Sequence, residues 1–288
     1  MAKQTINIGS AANDGTGSTL RAAFDITNDN FTELYDGTGG LFHKIEGTNF
    51  TGSLLIGHST TGTLSAAIKN TGVGLLALDA LTSGDSNTAI GYNAGSSINS
   101  GSYNTMLGSQ AGDALTTGGE NVAIGFSALS AEDTAHFNIA IGSGALGAQN
   151  SDSSSPYNIA IGHAAGASVS TGVRNLIIGA FAGDALTIGN FNTAIGYSAL
   201  STSVDGDANI AIGYQALTNY EGNDGEGGNV AIGFQAGENV STGNSNTLIG
   251  FEAGDALTTG SNNIIIGNGA AASAVDVSNE VTIGNSSV

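Results

Sequence analysis

Few residues of this chain have a spacing that could carry chemistry, and the clearest group is a glycine cluster. Gly142, Gly144 and Gly147 show the G-x-G-x-x-G spacing of a dinucleotide-binding turn, which in true sites follows a strand and opens a helix. A strand pattern precedes Gly142, but no helical pattern follows it. Gly142 also belongs to a long series of regularly spaced glycines. We therefore predict a structural role for this cluster and no cofactor.

Other catalytic or metal-binding patterns are weaker still. The four histidines, His43, His58, His136 and His163, lack metal-ligand spacing, and the chain contains no cysteine. No Ser/His/Asp arrangement or carboxylate pair stands out. We predict no catalytic residue, no metal site and no enzymatic activity.

Two inserts, at residues 150–157 and 219–228, offer the best candidates for recognition. Both lengthen a repeat, and extra residues in a repeat protein form loops, which often carry binding on a rigid scaffold. The acidic second insert could hold a cation, although a solvated acidic loop is the favoured interpretation; neutral length variation is the alternative for both. The candidate contacts for a glycan or protein are Asp152, Tyr157, Tyr220, Glu221, Asp224 and Glu226.

A repeat of 17 residues must position all these groups. Starting with Gly91, a glycine preceded by Ile or Leu occurs twelve times in steps of 17, with two steps of 20, and Asn stands four residues before the first eleven. Such a period is the signature of stacked coils. The structural repeat residues are Asn87, Gly91, Asn104, Gly108, Asn121, Gly125, Asn138, Gly142, Asn158, Gly162, Asn175 and Gly179.

A second period of 71 residues groups the coils in fours. Gly112–Thr116 returns at Gly183–Thr187 and at Gly254–Thr258. The residue that follows the repeat alanine reads Gly, Gly, Leu, Leu through each set. The chain therefore contains a four-coil cassette, duplicated and then partly repeated.

Each coil contains one short strand with two apolar faces. In Asn121–Phe126, Val122 and Ile124 point one way, and Ala123 and Gly125 point the other. A strand with one bulky and one small apolar face is buried on both sides. We predict an all-β parallel β-solenoid of about 14 coils over residues 53–288. We also predict that the second apolar face packs against identical chains, of which three would close compactly around a shared axis. The asparagine is predicted to turn the chain and to bond the identical amide one coil away, and the glycine to allow positive φ or close backbone approach.

The N-terminal segment has a different pattern. From Ser18 to Tyr35, apolar residues at spacings of 4, 3, 4 and 3 predict a short α-helix, which packs on its copies, on a docking partner or on the first coil. We expect an attachment segment of strand plus helix at 1–36, a linker at 37–52 and the repeat domain at 53–288.

The formal net charge is −19, and Arg174 is the only basic residue beyond position 69. Such a surface repels nucleic acid and anionic lipid. No apolar run is long enough to span a membrane, and the N-terminus lacks a signal-peptide pattern. We expect no nucleic-acid partner, no membrane insertion and synthesis in the cytoplasm without a signal peptide.

The motif N-x-x-[IL]-G-x-x-A resembles the head repeat of trimeric autotransporter adhesins, which form trimeric left-handed parallel β-rolls, although 17 residues exceed their usual coil. Asn87–Ala94 and Thr258–Asn263 also look like repeats in bacteriophage tail fibres. The N-terminal Thr5–Gly9, Gly15–Gly17 and Asn28–Tyr35 resemble fibre proteins of marine phages, including cyanophages.

These resemblances imply a phage tail fibre or fibre-like virion protein. The N-terminus would dock to a tail or baseplate protein, and the trimeric, left-handed β-roll would serve as spacer and host-receptor surface. A cell-surface adhesin head is the alternative, and an ice-binding solenoid is a third. The candidate ice-binding column, at the first strand position, has Thr interrupted by Val and Ile.

Overall fold

The computed structural model describes residues 43–45, 53–56, 66–151, 155–222 and 227–285. Within these ranges the chain is an all-β solenoid, which confirms the fold class predicted from the repeat, and no helix occurs there. The predicted helix and the attachment segment lie outside the described residues.

Fifteen strands, each of three residues, form one sheet in chain order. Strands β2 to β15 pair in parallel, each residue opposite its equivalent one coil away, and β1 pairs antiparallel with β2. The strands are β1 His43–Ile45, β2 Leu54–Ile56, β3 Thr71–Val73, β4 Thr88–Ile90, β5 Thr105–Leu107, β6 Val122–Ile124, β7 Ile139–Ile141, β8 Ile159–Ile161, β9 Leu176–Ile178, β10 Thr193–Ile195, β11 Ile210–Ile212, β12 Val230–Ile232, β13 Thr247–Ile249, β14 Ile264–Ile266 and β15 Val281–Ile283.

Backbone corners limit each strand to three residues. The residue before the repeat asparagine has positive φ, as in Glu120 (58°) and Phe191 (60°). The repeat glycine that ends the strand has φ near 135°, and a Cβ on it would press on the carbonyl of the equivalent glycine in the next coil. Glycine is therefore required both by conformation and by close approach. The asparagine itself is not the left-handed residue; that conformation falls on its predecessor.

The repeat asparagines form a buried ladder along the rod. The backbone N–H of Asn192 donates to Asn175 Oδ1 at 2.9 Å, and Asn192 Nδ2 donates to the same oxygen at 3.2 Å and to the Gly206 carbonyl at 2.8 Å. Asn192 Oδ1 accepts in turn from the N–H and the Nδ2 of Asn209. One side chain thus satisfies buried backbone groups in two coils, which explains why asparagine occurs at every equivalent position through Asn263.

The small strand face points into the solenoid. The middle residues of the strands, such as Ala123 and Ala140, are fully buried, whereas the first and third residues are partly or largely exposed. We predicted that both strand faces are buried. Within one chain this is confirmed for the small face, and the bulky face remains partly exposed.

The 71-residue cassette alternates how the interior is filled. In the second coil of each set a large residue takes the middle strand position, namely Met106, Ile177 or Leu248, and a glycine stands after the repeat alanine. A Cβ on Gly254 would lie 2.7 Å from Leu248 Cδ2. In the third and fourth coils of the first two sets the middle residue is alanine, and a buried leucine replaces that glycine.

The leucines pay a conformational penalty for filling this space. Leu129 and Leu146 have φ of 52° and 48°, close to the 58° of Gly112. The left-handed conformation costs a non-glycine residue about 1–2 kcal/mol, so full burial of the leucine side chain offsets the strain. The Gly, Gly, Leu, Leu pattern is thus a packing pattern on a constant backbone.

Candidate functional site

The outer faces of the strands form a continuous apolar stripe. We call the first and third residues of strands β3 to β15 the outer stripe. The third position is always Val, Ile or Leu, and the first is Thr, Val, Ile or Leu. All these residues are partly or largely exposed, from intermediate burial at Ile195 to 76% exposure at Ile283. Soluble chains rarely leave so long an apolar strip without a partner.

Aromatic rings flank the stripe where the strands end. We call the residue directly after each repeat glycine the trailing corner. There Tyr197, Tyr214, Phe234 and Phe251 stack along the rod, with ring centroids 5.1–5.4 Å apart and interplanar angles of 6–11°. Because each ring face covers the next, only ring edges are presented outward.

A second set of rings lies where the strands begin. We call the residue directly before each repeat asparagine the leading corner. Phe137 and Tyr157 stack there with centroids 5.1 Å apart, and the guanidinium of Arg174 lies 5.4 Å from the centroid of Phe191. Tyr157, predicted as an aromatic contact of the first insert, is 48% exposed and belongs to this corner.

The second insert differs from its prediction. Tyr220 is fully buried, and its hydroxyl donates to Asn244 Oδ1 at 2.7 Å, so its ring is not a surface handle. The residue stands seven positions after Gly213, where other coils place the core residues Leu115, Leu186 and Val240. The position of Tyr220 relative to the repeat glycine could have predicted its burial, but the extra residues of the insert made that position hard to recognise. Glu221 is exposed, whereas Asp152, Asp224 and Glu226 lie outside the described residues.

The outer stripe carries no charge. None of its residues is Asp, Glu, Lys or Arg, although the chain has a formal net charge of −19. Glu120 and Arg174 stand at leading corners. Asp113 and Asp184 lie on the turns after the strand, where burial raises the pKa of both carboxyls. The uncharged strip is therefore the surface along which two copies of this acidic rod repel each other least.

The glycine cluster, His136 and His163 have structural contacts, whereas His58 lies outside the described residues. Gly142 approaches the backbone of Gly162, and the residues that follow it form a turn. His136 Nδ1 accepts from the N–H of Gly119 at 3.0 Å, and the ring of His163 meets Phe181 edge-on at 5.2 Å. Among the described residues, no group of three His, Asp or Glu side chains is arranged to hold a metal ion.

A buried carboxylate was missed by sequence reasoning. Glu132 is fully buried, and its Oε1 accepts from the N–H groups of Asp133, Thr134 and Ala135 at 2.9–3.2 Å. Burial raises the pKa of Glu132, although these backbone bonds oppose the shift. The residue occupies the same core register as Tyr220, seven positions after its repeat glycine. The Glu132 carboxylate stabilises the turn formed by the three residues that follow it, and it is buried away from the outer stripe.

Comparisons with known proteins give no family. No protein-family model, no curated protein and no solved structure matches the chain. In the part of the chain that the structure describes, no helix has the length and apolarity needed to cross a bilayer.

Proposed function

We propose that this chain is the shaft of a virion appendage, a phage tail fibre or a fibre-like protein. The observation that carries the proposal is the uncharged apolar stripe that runs along the whole described stack of an acidic rod. Glycine, asparagine and alanine stack the coils of this rod closely, and its outer strand face is left for a partner chain to cover. Such a rod is suited to bear load and to hold the two ends of an appendage apart.

In this proposal the stripe is covered by identical chains. With about 4.8 Å between strands, the thirteen strands from β3 to β15 give a stripe on the order of 60 Å long. With a width of about 15–20 Å between the two corners, its area is on the order of 1,000 Å², comparable to the roughly 800 Å² per partner of a stable interface. Three copies wound in a left-handed β-roll would bring the stripes together around a shared axis.

The ends of the chain would have separate roles. Residues 1–36 dock to a tail or baseplate protein, as their resemblance to phage fibre segments implies. The turns that face away from the stripe, together with exposed insert residues such as Glu221, then offer a surface for a host glycan or protein. The chain is synthesised in the host cytoplasm and acts in the virion, an extracellular particle.

Sedimentation of the purified chain tests the self-association on which the proposal depends. We expect a single species of three times the chain mass, seen as a rod in negative stain. A stable monomer at micromolar concentration would refute it. Antibodies against residues 66–285 should then decorate the tails of virions that carry this gene, and labelling confined to cell surfaces would instead favour an adhesin.

A further inference from the structure

The two corners beside the outer stripe share a size rule. In the eleven coils from Ser86 to Asn268, eight have one Tyr or Phe at one corner and none at the other. The pairs of leading and trailing corner are Ser86/Tyr92, Tyr103/Ser109, Glu120/Phe126, Phe137/Ser143, Tyr157/His163, Arg174/Ala180, Phe191/Tyr197, Ala208/Tyr214, Gly228/Phe234, Ser245/Phe251 and Asn262/Asn268.

The rings also change sides along the rod. In the N-terminal half they alternate, with Tyr92 and Phe126 at the trailing corner and Tyr103, Phe137 and Tyr157 at the leading corner. In the C-terminal half the leading corner is small, and the rings form the trailing-corner stack from Tyr197 to Phe251. In six coils the residue at the corner opposite the ring is Ser, Ala or Gly. In two coils it is Glu120 or His163, and one coil has both Phe191 and Tyr197.

Crowding within one chain does not explain the rule. Phe191 and Tyr197 belong to the same coil, and both are exposed. Their ring contacts run along the rod, from Phe191 to Arg174 and from Tyr197 to Tyr214. The two corners stand at opposite ends of a three-residue strand, on the order of 20 Å apart, so one chain has room for a ring at each.

We infer that the corners are a register key for a second copy of this chain, packed in parallel with equivalent coils at the same height. This inference rests on the self-association proposed above. A rotation about an axis along the rod places the trailing corner of one copy beside the leading corner of its neighbour at the same level. A ring then meets Ser, Ala or Gly in six of the eleven coils, and the coil of Phe191 and Tyr197 is the one that brings two Tyr or Phe rings together.

Other arrangements lose this complementarity. In an antiparallel pair, the leading corners of one copy meet the leading corners of different coils in the other copy. The match between the two corners of one coil then contributes nothing to the contact. In a parallel pair shifted by one coil, Tyr92 would face Tyr103 and Phe126 would face Phe137. Two rings would then compete for one space, and overpacking of this kind costs about 1–3 kcal/mol per site.

Single cysteines test the register, because the chain has none of its own. Thr88→Cys and Thr247→Cys place thiols on the outer stripe near its two ends, and Thr117→Cys provides an exposed control on a turn. With a short bis-maleimide, both stripe variants should link to their own copies, and the control should not. An antiparallel assembly allows self-linking at one level at most, so failure at Thr88 or Thr247 in an oligomer of unchanged mass would overturn the register. A monomeric mass would instead overturn the self-association.

A pair of ring insertions tests the size rule itself. Ser245→Phe adds a second ring to a coil that already has Phe251, whereas Asn262→Phe adds a ring to a coil that has none. We expect the first to weaken association about tenfold and the second to leave it unchanged. Equal effects of the two insertions would overturn the rule.

Discussion

The inner and outer faces of the same strands are under different constraints. Inner residues such as Ala123 are fully buried in one chain, and the neighbouring glycine and asparagine are fixed by backbone geometry. Outer residues at equivalent positions range from Thr to Ile and remain partly exposed. The inner face therefore determines whether a coil forms, and the outer face determines what the rod can pack against.

The largest expected effect follows from substitution of a repeat glycine. In Gly196→Ala the new Cβ would press on the Gly213 carbonyl, at a φ of 137° that alanine disfavours. We expect a loss of more than about 3 kcal/mol in unfolding free energy, measured by urea titration with circular dichroism. Gly144→Ala is the matched control: φ is also positive there, at 69°, but nothing lies within 4 Å of the new Cβ. Its loss should stay near 1 kcal/mol, and equal losses would contradict the role of close approach.

The asparagine ladder should give the next largest effect. Asn192→Ala removes the acceptor of the Asn209 N–H and the donor to the Gly206 carbonyl, both buried. We expect a loss of about 2–4 kcal/mol, with faster amide exchange in the adjoining coils. Asn190→Ala, which removes part-buried bonds with Val173 and Asp207, should cost less than about 1 kcal/mol. If Asn192→Ala lowers the unfolding free energy no more than Asn190→Ala does, the amide ladder is not needed for stability.

Substitution of two neighbouring residues on opposite strand faces distinguishes an effect on association from an effect on folding. Ile195→Ser, on the outer stripe, should weaken association by about 1–2 kcal/mol per subunit while the dichroism spectrum stays unchanged. Ala194→Leu overfills the interior and should instead lower the unfolding free energy. Sedimentation and urea titration on both variants separate the effects. If Ile195→Ser lowers only the unfolding free energy, the stripe is not an interface.

The smallest effect concerns the buried carboxylate. Because the folded-state pKa of Glu132 is raised, its stabilising contribution is full below the unfolded-state pKa and is lost as pH rises through the folded value. Glu132→Gln should therefore be more stable than the parent at pH 7, and the gap should close as the pH falls below the ordinary range of a glutamate. The amide keeps an acceptor for the turn, and Gln149 occupies this register in the next coil. A gap independent of pH would exclude Glu132 as its cause.

The repeat predicted most of the fold because backbone geometry leaves few choices at its fixed positions. The strands end at the predicted glycines, and the asparagine amides bond from coil to coil, as in Asn87 to Asn70 at 3.1 Å. The sequence did not decide which strand face turns inward, because both are apolar. That choice depends on residues from the far side of the coil, such as Leu115 and Leu129, which fill the interior opposite the strand.

Two residues of the core register were harder to place for a related reason. Tyr220 and Glu132 are polar or amphipathic side chains in a core register, where the interior of the third and fourth coils has room for them. Composition alone assigns such residues to the surface. Counting seven residues from the repeat glycine would have placed both inside.

The alternation of Met106, Ile177 and Leu248 with the leucines of the following coils has a consequence for how such a rod can grow. Within the first two cassettes, removal of a single coil would disturb the order in which large and small middle residues follow one another, whereas removal of four coils restores every neighbour. Natural variants of this protein should therefore differ in length by steps of about 19 Å, four strand spacings at a time.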